Sequence, residues 1–530
     1  RHLCGIKGWV GAVVWTLRHS AEEQAFRPEK GPGTLARLML HRRSPFLAIL
    51  AASVLWPAQA LPAPEAPPDP TKAAKPATSM VDLPFVVSKL ANGLTVLVHE
   101  DHTLPEVATN IVYRVGSKDE QAGRTGFAHL FEHLMFMGTQ RAPAKAFDEW
   151  MEAAGGSNNA WTSNDFTDYH EHGPSTLLPL FLWLEADRLE TLGRQIDQPK
   201  LDLQREVVRN ERRQSVENRP YGKVELRLPE LMYPESHPYH HPVIGSHQDL
   251  EAAGVEDVRS FFDQHYVPAQ ASLAIAGDVK ASDAAALAEK YLGVVHREPT
   301  GAVSATIEPL PLPKLGKVVR ETIGDKVELT KIIFAYHSPA HFQPGDAELD
   351  ILASVLSSGK TSRLYKTLVY DKAMAQTVEA TQESMILSST FNVEILLRPG
   401  VSPEAVEKVV DSILQQVTTK APSEEELQRA KNQIAFDFVN RLQSIEARAQ
   451  LLNMYWAEKG DPGYIHEDLA RYERATSADI LAQAKKTLTA DSRVILTVVP
   501  EGGGKTEGGA KPEPAGHPAP ATPATTGAAR

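Results

Sequence analysis

His129-Leu130-Phe131-Glu132-His133 places two imidazoles four residues apart, with a carboxylate immediately before the second. On an α-helix, residues i, i+3 and i+4 lie on one face, so His129, Glu132 and His133 can point towards one ion. Imidazole nitrogens are good zinc ligands, and a carboxylate beside a zinc site can act as a general base. The pentapeptide therefore predicts a helical zinc site with two histidine ligands and Glu132 as the base.

The residues around the pentapeptide favour a buried helix. Gly126 and Gly138 bracket the segment FAHLFEHLMFM, which is apolar on nearly all sides. Polar side chains in such a helix must find partners, because burying them unpaired is costly. A metal ion would satisfy all three polar groups, and a hydrogen-bonded pair of core histidines is the structural alternative.

A catalytic zinc site needs a third protein ligand. The helix-like segment 201–222 contains four acidic candidates, and spacing alone does not choose among them: Asp202, Glu206, Glu211 and Glu217. Any one of them could instead lie on a solvated helix face. We interpret Arg212 and Arg213, in the same segment, as part of such a face and not as an anion site.

The globular part of the chain divides into two halves of comparable size. Residues 257–276 and 479–498 align without gaps at an offset of 222, and each pattern predicts a helix, a short turn and a strand. An α+β fold of two homologous domains, each a mixed or antiparallel sheet packed with helices, is the simplest account. We expect the first, zinc-bearing domain at 81–297, a linker at 298–317 and a second domain without zinc at 318–500.

The first sixty residues are typical of an export signal preceded by an upstream segment. Met39 is followed by basic residues, a short apolar run and Ala58-Gln59-Ala60, a common type of cleavage site. The apolar run is too short to span a membrane. We therefore expect residues 1–60 to be absent from the mature protein, and the protein to be secreted, reaching the periplasm if the host is a Gram-negative bacterium. A longer membrane anchor is the alternative.

Composition narrows the possible partners. The net charge of −12 argues against nucleic-acid binding, and the single cysteine, Cys4, precedes the expected cleavage site. Residues 61–80 are rich in Pro and Ala and predict a flexible tether, and residues 501–530 predict a disordered tail. We interpret the histidine-rich segment 237–250 as a loop with solvent-exposed histidines and not as a second metal site.

Three segments together resemble the pitrilysin/insulinase family of zinc peptidases. They are HLFEH at 129–133, GGSNNAWTSNDFTDYH at 155–170 and QREVVRNERRQSVENRPYG at 204–222. The resemblance implies one zinc ion per chain, held by His129, His133 and Glu211, and two homologous domains arranged as a clamshell. Gln204 stands where the family has a further glutamate, and from the same helix face as Glu211 it can hydrogen-bond to a ligand.

The resemblance also implies how a peptide is held. In the family, an edge strand beside the zinc accepts the substrate backbone by strand addition. The matching residues here are Asn159, Ala160, Trp161 and Thr162. A plain edge strand without a binding role is the alternative.

The second half has no HxxEH motif after residue 317. In the family this half normally supplies an Arg and a Tyr, seven residues apart, that reach the scissile carbonyl. Val369 and Gln376 occupy those positions here, while Arg363 and Tyr365 have the wrong spacing. We therefore expect a secreted zinc metalloendopeptidase that depends on a homologous partner subunit, in a heterodimer or a homodimer. A catalytically weak scaffold or peptide-binding subunit is the alternative.

Overall fold

The computed structural model describes residues 81–298 and 307–501, and two β-sheets organise them. The first sheet contains six strands: β1 (Val86–Lys89), β2 (Thr95–Glu100), β3 (Glu106–Tyr113), β4 (Ser157–Thr162), β5 (Thr167–Pro174) and β6 (Ala271–Gly277). Their order is β1-β2-β6-β3-β5-β4, in which β2 and β6 are parallel and the other pairs are antiparallel. This order leaves β4 at one edge of the sheet.

The second sheet has five strands in the order β7-β11-β8-β10-β9. They are β7 (Val318–Asp325), β8 (Lys331–Ser338), β9 (Ala375–Glu383), β10 (Ser389–Leu397) and β11 (Arg493–Pro500). The β7–β11 pair is parallel and the remaining pairs are antiparallel. Both sheets are therefore mixed.

Helices pack on both sheets. Those within the first domain are α1 (Phe127–Leu134), α2 (Ala146–Ala153), α3 (Leu178–Gln195), α4 (Gln198–Glu211), α5 (Lys223–Met232), α6 (His247–Ala252), α7 (Val255–His265) and α8 (Ala281–Tyr291). Those within the second are α9 (Asp346–Ser357), α10 (Pro403–Thr419), α11 (Glu424–Arg441), α12 (Ile445–Lys459), α13 (Ile465–Arg474) and α14 (Ser477–Thr487). Side-chain caps begin several of them; Ser402, Ser423 and Ser444 each accept a backbone N–H at the start of α10, α11 and α12.

The expected α+β class, with two mixed sheets packed with helices, is confirmed. The duplicated pattern is visible in the helix bounds: α7 and α14 begin and end at positions related by the same offset of 222. In each domain this helix is followed by a strand, β6 or β11, that lies parallel to an early strand of its own sheet.

Each sheet is covered on its outer face by a helix from the other domain. Residues of α12, among them Ala449 and Leu452, form one apolar cluster with Leu97, Ala108 and Ala274 of the first sheet. Conversely, residues from α5 and the loop after it share a cluster with strands of the second sheet: Val224, Met232 and Tyr233 with Ile333, Val494 and Leu496. The two domains thus bury each other's outer sheet faces.

Some of the expected segments lie outside the described residues. These are the export signal at 1–60, nearly all of the tail, and the tether at 61–80. Of the expected linker, residues 307–317 run without regular structure, and Leu310 donates its backbone N–H to the carbonyl of Leu387 at 2.9 Å. Within the described ranges, no helix is both long and apolar enough to cross a membrane.

Candidate metal centre

Three ligand-type side chains converge between α1 and α4. His129 and His133 lie on α1, and Glu211 is the last residue of α4, where the helix passes into a π-helical turn (Arg212–Glu217). The Nε2 atoms of the two histidines are 3.3 Å apart, and Glu211 Oε2 lies 3.1 Å from His133 Nε2 and 3.7 Å from His129 Nε2. The structure therefore brings together the two histidines and the glutamate that the resemblance implied.

The other acidic candidates face elsewhere. Asp202 and Glu206 are exposed on α4 and bond to Arg205 and Arg209. Glu217 bonds to Arg212 and to His247 at 2.8 and 2.9 Å. None of the three belongs to a metal-compatible group among the described residues, so geometry singles out Glu211.

The donor set fits zinc. Two imidazole nitrogens and one carboxylate oxygen approach within 4.8 Å of one another, which is the His₂Glu set of many catalytic zinc sites. The other carboxylate oxygen of Glu211 is buried without a hydrogen-bond partner in the described chain. One cation shared by the three side chains would offset the cost of burying these polar groups.

The protein environment shifts the pKa values of these groups in opposite directions. Burial, reinforced by the charge of His133, lowers the pKa of His129 to about 4, so its imidazole is neutral and able to ligate. Burial also lowers the pKa of His133, but its hydrogen bond with Glu211 and the charges of Glu132 and Glu211 together outweigh burial, so the net shift is upward. For Glu211, burial raises the pKa, but the same hydrogen bond and the charges of the two histidines together lower it below its ordinary value.

Glu132 lies beside the ligands and is 8% exposed. Burial raises its pKa to about 7, partly opposed by the charge of His133 and by a hydrogen bond from Thr162. The Thr162 hydroxyl donates to Glu132 Oε2 at 2.6 Å. A carboxyl group whose pKa lies near neutrality can both take up and release a proton, as a general base and acid must.

Sequence reasoning missed the contacts that hold α1 in place. The buried carboxylate of Glu120 accepts the backbone N–H groups of Gly126 and Ala128, at 2.9 and 2.8 Å, and so caps the start of the helix. Gly126 has φ 86° and packs directly on Gly245, where an added Cβ would lie 2.4 Å from the Cα of Gly126. The glycine at each position is therefore required by this close approach, and no local pattern signals it.

The loop that presents Gly245 is not a solvated loop. His237 is only 8% exposed and stacks on Tyr233, with ring centroids 4.5 Å apart, so the interpretation of solvent-exposed histidines is wrong for this residue. Arg212 is also largely buried; it donates to the carbonyl of Gly245 and to Glu217, and does not lie on a solvated face. Arg212 thereby joins the segment 237–250 to the end of α4.

The four residues predicted to bind substrate lie on the edge strand β4, which pairs on one side with β5. Asn159 is exposed and Ala160 is buried. Trp161 packs on an apolar cluster that includes Ile386 and Met454 of the second domain. Thr162 is 4% exposed and its side chain is directed at Glu132, so a contact between that side chain and substrate has no support in the structure.

The remaining predicted residues have clear surroundings. Gln204 lies beside the site, where its amide donates to Met137 Sδ at 2.6 Å and its proximity helps to raise the pKa of His133. In the second domain, Val369 packs against the core and Gln376 is exposed on β9. Arg363 forms two 2.7 Å bonds with Glu426, as suits a structural residue.

Two family models match consecutive parts of the chain. The model described as "Insulinase (Peptidase family M16)" matches residues 95–243, which include HLFEH, β4 and Glu211. The model described as "Peptidase M16 inactive domain" matches residues 253–434. The chain belongs to the insulinase family of peptidases, M16. The resemblance inferred from the sequence is thereby confirmed.

Several M16 relatives extend the comparison. The protein named "Zinc protease PqqE" from Helicobacter pylori is 29% identical to this M16 chain over 379 residues, covering 71% of this chain and 84% of that protein. A crystal structure of a protease from Helicobacter pylori has a TM-score of 0.73 at 25% identity and covers 79% of this chain and all of the other. These similarities support a peptidase-like role with zinc.

The periplasmic protease PqqL from Escherichia coli shares the fold, with a TM-score of 0.65 at 17% identity. The match covers 79% of this M16 chain but 48% of the PqqL chain. This chain therefore corresponds in fold to about half of that longer protein.

Proposed function

We propose that this protein is a zinc metalloendopeptidase that hydrolyses peptides or small unfolded proteins. The observation that carries the proposal is the convergence of His129, His133 and Glu211 beside the buried carboxyl group of Glu132. His129, His133 and Glu211 would hold one zinc ion per chain. Bound zinc would supply Lewis-acid chemistry, polarising a carbonyl and making water more acidic.

In the proposed mechanism the proton transfers fall to Glu132. Its carboxylate takes a proton from the attacking water and later returns a proton to the nitrogen of the leaving amine. Thr162 shields one side of the Glu132 carboxyl group from solvent, since the side chains of Thr162 and Glu132 are both buried.

We propose that β4 binds the substrate. Its outer edge has no neighbouring strand in the described sheet, so its backbone N–H and C=O groups are available for strand addition. Asn159 and Ala160, with the backbone of Trp161 and Thr162, would make these contacts. Main-chain recognition is tolerant of sequence, which fits a peptidase acting on varied peptides.

A homologous partner subunit is part of the proposal. Val369 and Gln376 stand where the family has its Arg and Tyr, and neither can replace the charge or the phenol that would reach the scissile carbonyl. A heterodimer, with a subunit that supplies the Arg/Tyr pair, is the arrangement we favour over a homodimer. The length of PqqL, about twice the matched part, is compatible with two such units acting together.

A second candidate function rests on the same substitutions. A zinc-containing but catalytically weak scaffold or peptide-binding subunit would need the ligands and β4, but would not need Glu132.

The secreted, periplasmic location that we propose rests on the signal-like sequence from Met39 to Ala60.

Metal analysis with matched variants tests the site. Purified wild type should contain one zinc per chain by mass spectrometry of metals, and Glu211→Gln should lose most of it, because a neutral amide is a poor zinc ligand. Glu206→Gln is the matched control, since Glu206 lies on the same helix but is exposed. Equal zinc contents in the two variants would contradict the assignment of Glu211.

A digest of a peptide library tests activity and partnership together. The chain should cleave peptides poorly alone and faster with the homologous subunit that co-purifies from its host. Full turnover by the isolated chain would contradict the need for a partner. Tight peptide binding without turnover in either preparation would favour the scaffold.

A further inference from the structure

Strand β4 presents its two faces to different parts of the molecule. Ala160 and Thr162 are buried on the face that meets α1, and the alternate residue Trp161 packs on a cluster with Ile386 and Met454 of the second domain. Successive side chains of a strand point to opposite faces, so one short strand separates the zinc-site helix from the second domain.

We propose that Thr162 is a positioning residue for Glu132. Its hydroxyl donates to Glu132 Oε2 at 2.6 Å, and the two side chains are 4% and 8% exposed. A hydrogen bond to a carboxylate at a buried site is stronger than one at the surface, because the local dielectric constant is lower there. It fixes one carboxylate oxygen and leaves the other to exchange protons with water and the leaving amine.

Thr162 is itself held from behind. It lies opposite Thr167 in the β4–β5 register, and the Thr167 hydroxyl donates to the carbonyl of Val115 at 2.9 Å. Thr167 is fully buried, so the backbone partner of Thr162 is held in place by this hydrogen bond.

Trp161 supplies the second restraint on the same strand. The side chain immediately before Thr162 is packed on residues of the second domain, so the domain without zinc ligands supports the strand that orients the base. This gives the second domain a role near the proposed reaction that does not require an Arg/Tyr pair.

The inference rests on the proposed function, because Glu132 acts as a base only if the protein hydrolyses peptides. It changes the assignment of Thr162: the backbone of this residue remains available to a peptide on β4, while its side chain serves Glu132. The loss of its hydroxyl should therefore lower kcat and leave KM nearly unchanged. Because a smaller folded fraction would have the same effect, kcat is expressed per folded, zinc-loaded chain.

Three variants test the role of the hydroxyl in the complete chain together with its co-purified partner. Thr162→Val keeps the shape and removes the donor, Thr162→Ser keeps the donor, and Thr390→Val is the matched control. Thr390 is 5% exposed and donates to Glu383 at 3.3 Å in the second domain. We expect Thr162→Val to lower kcat about 10- to 100-fold, the effect of losing one hydrogen bond to a charged group.

The same experiment has readouts that do not depend on turnover. Thr162→Val should retain one zinc per chain and wild-type peptide affinity in a Glu132→Gln background. In crystal structures, the Glu132 carboxylate should lie in its wild-type position in Thr162→Ser and be displaced in Thr162→Val. Thr162→Ser should recover most of kcat, and Thr390→Val should leave kcat unchanged.

Wild-type kcat in Thr162→Val, or an unmoved Glu132 in its crystal structure, would overturn the inference. So would an equal fall of kcat in Thr390→Val, because the effect would then be one of stability. If the wild type cleaves no peptide even with its partner, the proposed function fails instead, and the crystal structures still decide whether Thr162 orients Glu132.

Discussion

Helix α1, which follows β3 in the first domain, corresponds to helix α9, which follows β8 in the second domain. The two helices carry different side chains at equivalent positions. Both follow a glycine in the left-handed region, Gly126 with φ 86° and Gly345 with φ 107°. Three, six and seven residues after that glycine, α1 carries His129, Glu132 and His133. At the same distances α9 carries Glu348, Ile351 and Leu352.

The third ligand differs in the same way. QSVENR at 214–219 and QSIEAR at 443–448 follow corresponding helices, α4 and α11, and by their alignment Glu211 corresponds to Asn440. In the second domain Ile351 and Leu352 are fully buried in the apolar core. The comparison teaches that this scaffold does not need a metal for its packing, which supports the proposal that the polar cluster of the first domain serves a metal site.

The largest expected effect comes from Glu132→Gln. Without a proton acceptor, kcat should fall on the order of 10²–10⁴-fold while zinc content stays at one per chain. Glu383→Gln, at a carboxyl group that accepts from Thr390 in the second domain, should leave kcat unchanged. Peptide hydrolysis and metal analysis of the two proteins check this, and a Glu132→Gln enzyme with normal turnover would favour the scaffold.

Substitutions in the two corresponding helices should affect stability in the reverse order, with the larger loss in the second domain. Leu352→Ala should lower the free energy of unfolding by about 2–5 kcal/mol, because it leaves a cavity in the second core. At the corresponding position, His133→Ala should have a smaller effect on the zinc-free protein, since the His133 side chain is 22% exposed. Urea unfolding after chelation measures both, and equal losses would contradict the contrast between a packed helix and a metal-site helix.

The outer face of the second sheet should lose stability in acid. His337 on β8 faces Tyr233 of the first domain, with ring centroids 5.1 Å apart, and burial together with the charge of His237 lowers its pKa from 6.5 to about 4. Between these pH values the unfolded chain takes up a proton that the folded chain does not, so stability falls as the pH drops from 6.5 to 4. The loss should reach about 2–3 kcal/mol.

Unfolding curves between pH 7 and 4 measure this contribution. His337→Asn should flatten the pH dependence, whereas His466→Asn, at an exposed histidine, should not. On the other face, the buried His99 also has a lowered pKa, so it adds to the acid sensitivity that remains in His337→Asn. An unchanged slope in His337→Asn would show that other groups control acid stability.

The smallest expected effect concerns the cap of α9. Glu348, at the position of His129, accepts the backbone N–H of Gly345 at 3.0 Å. Glu348→Gln should lower the free energy of unfolding by no more than about 1 kcal/mol, which lowers the midpoint of thermal unfolding slightly, and should leave kcat unchanged. A loss of zinc or of activity in this variant would contradict the view that the second helix has only a structural role.

Part of this arrangement was predictable from local patterns. The spacing of His129, Glu132 and His133 predicts a helix with one polar face, and the repeated helix–turn–strand pattern predicts two related domains. Spacing did not select Glu211, because the ligand comes from another helix about eighty residues away and four carboxylates compete for the role. Family resemblance supplied that choice, and the geometry agrees with it.

The parts that were not predictable depend on contacts between distant segments. Glu120 and Gly245 hold the start of α1, yet neither lies in a motif that signals such a contact. The same holds for Thr162, whose side chain donates to Glu132. The segment that contains His237 is polar in composition, so its partial burial follows only from how the two domains meet.

The exchange of α5 and α12 between the two sheets has a consequence for the origin and dissection of the protein. A single domain separated at the linker would expose one apolar face of its sheet to solvent. It could bury that face only in a domain-swapped dimer, in which each copy covers the sheet of the other with one helix. Two fused units turn that reciprocal contact between molecules into a contact within one chain. Fusion of this kind leaves one copy free to lose its metal ligands while it continues to shield the other.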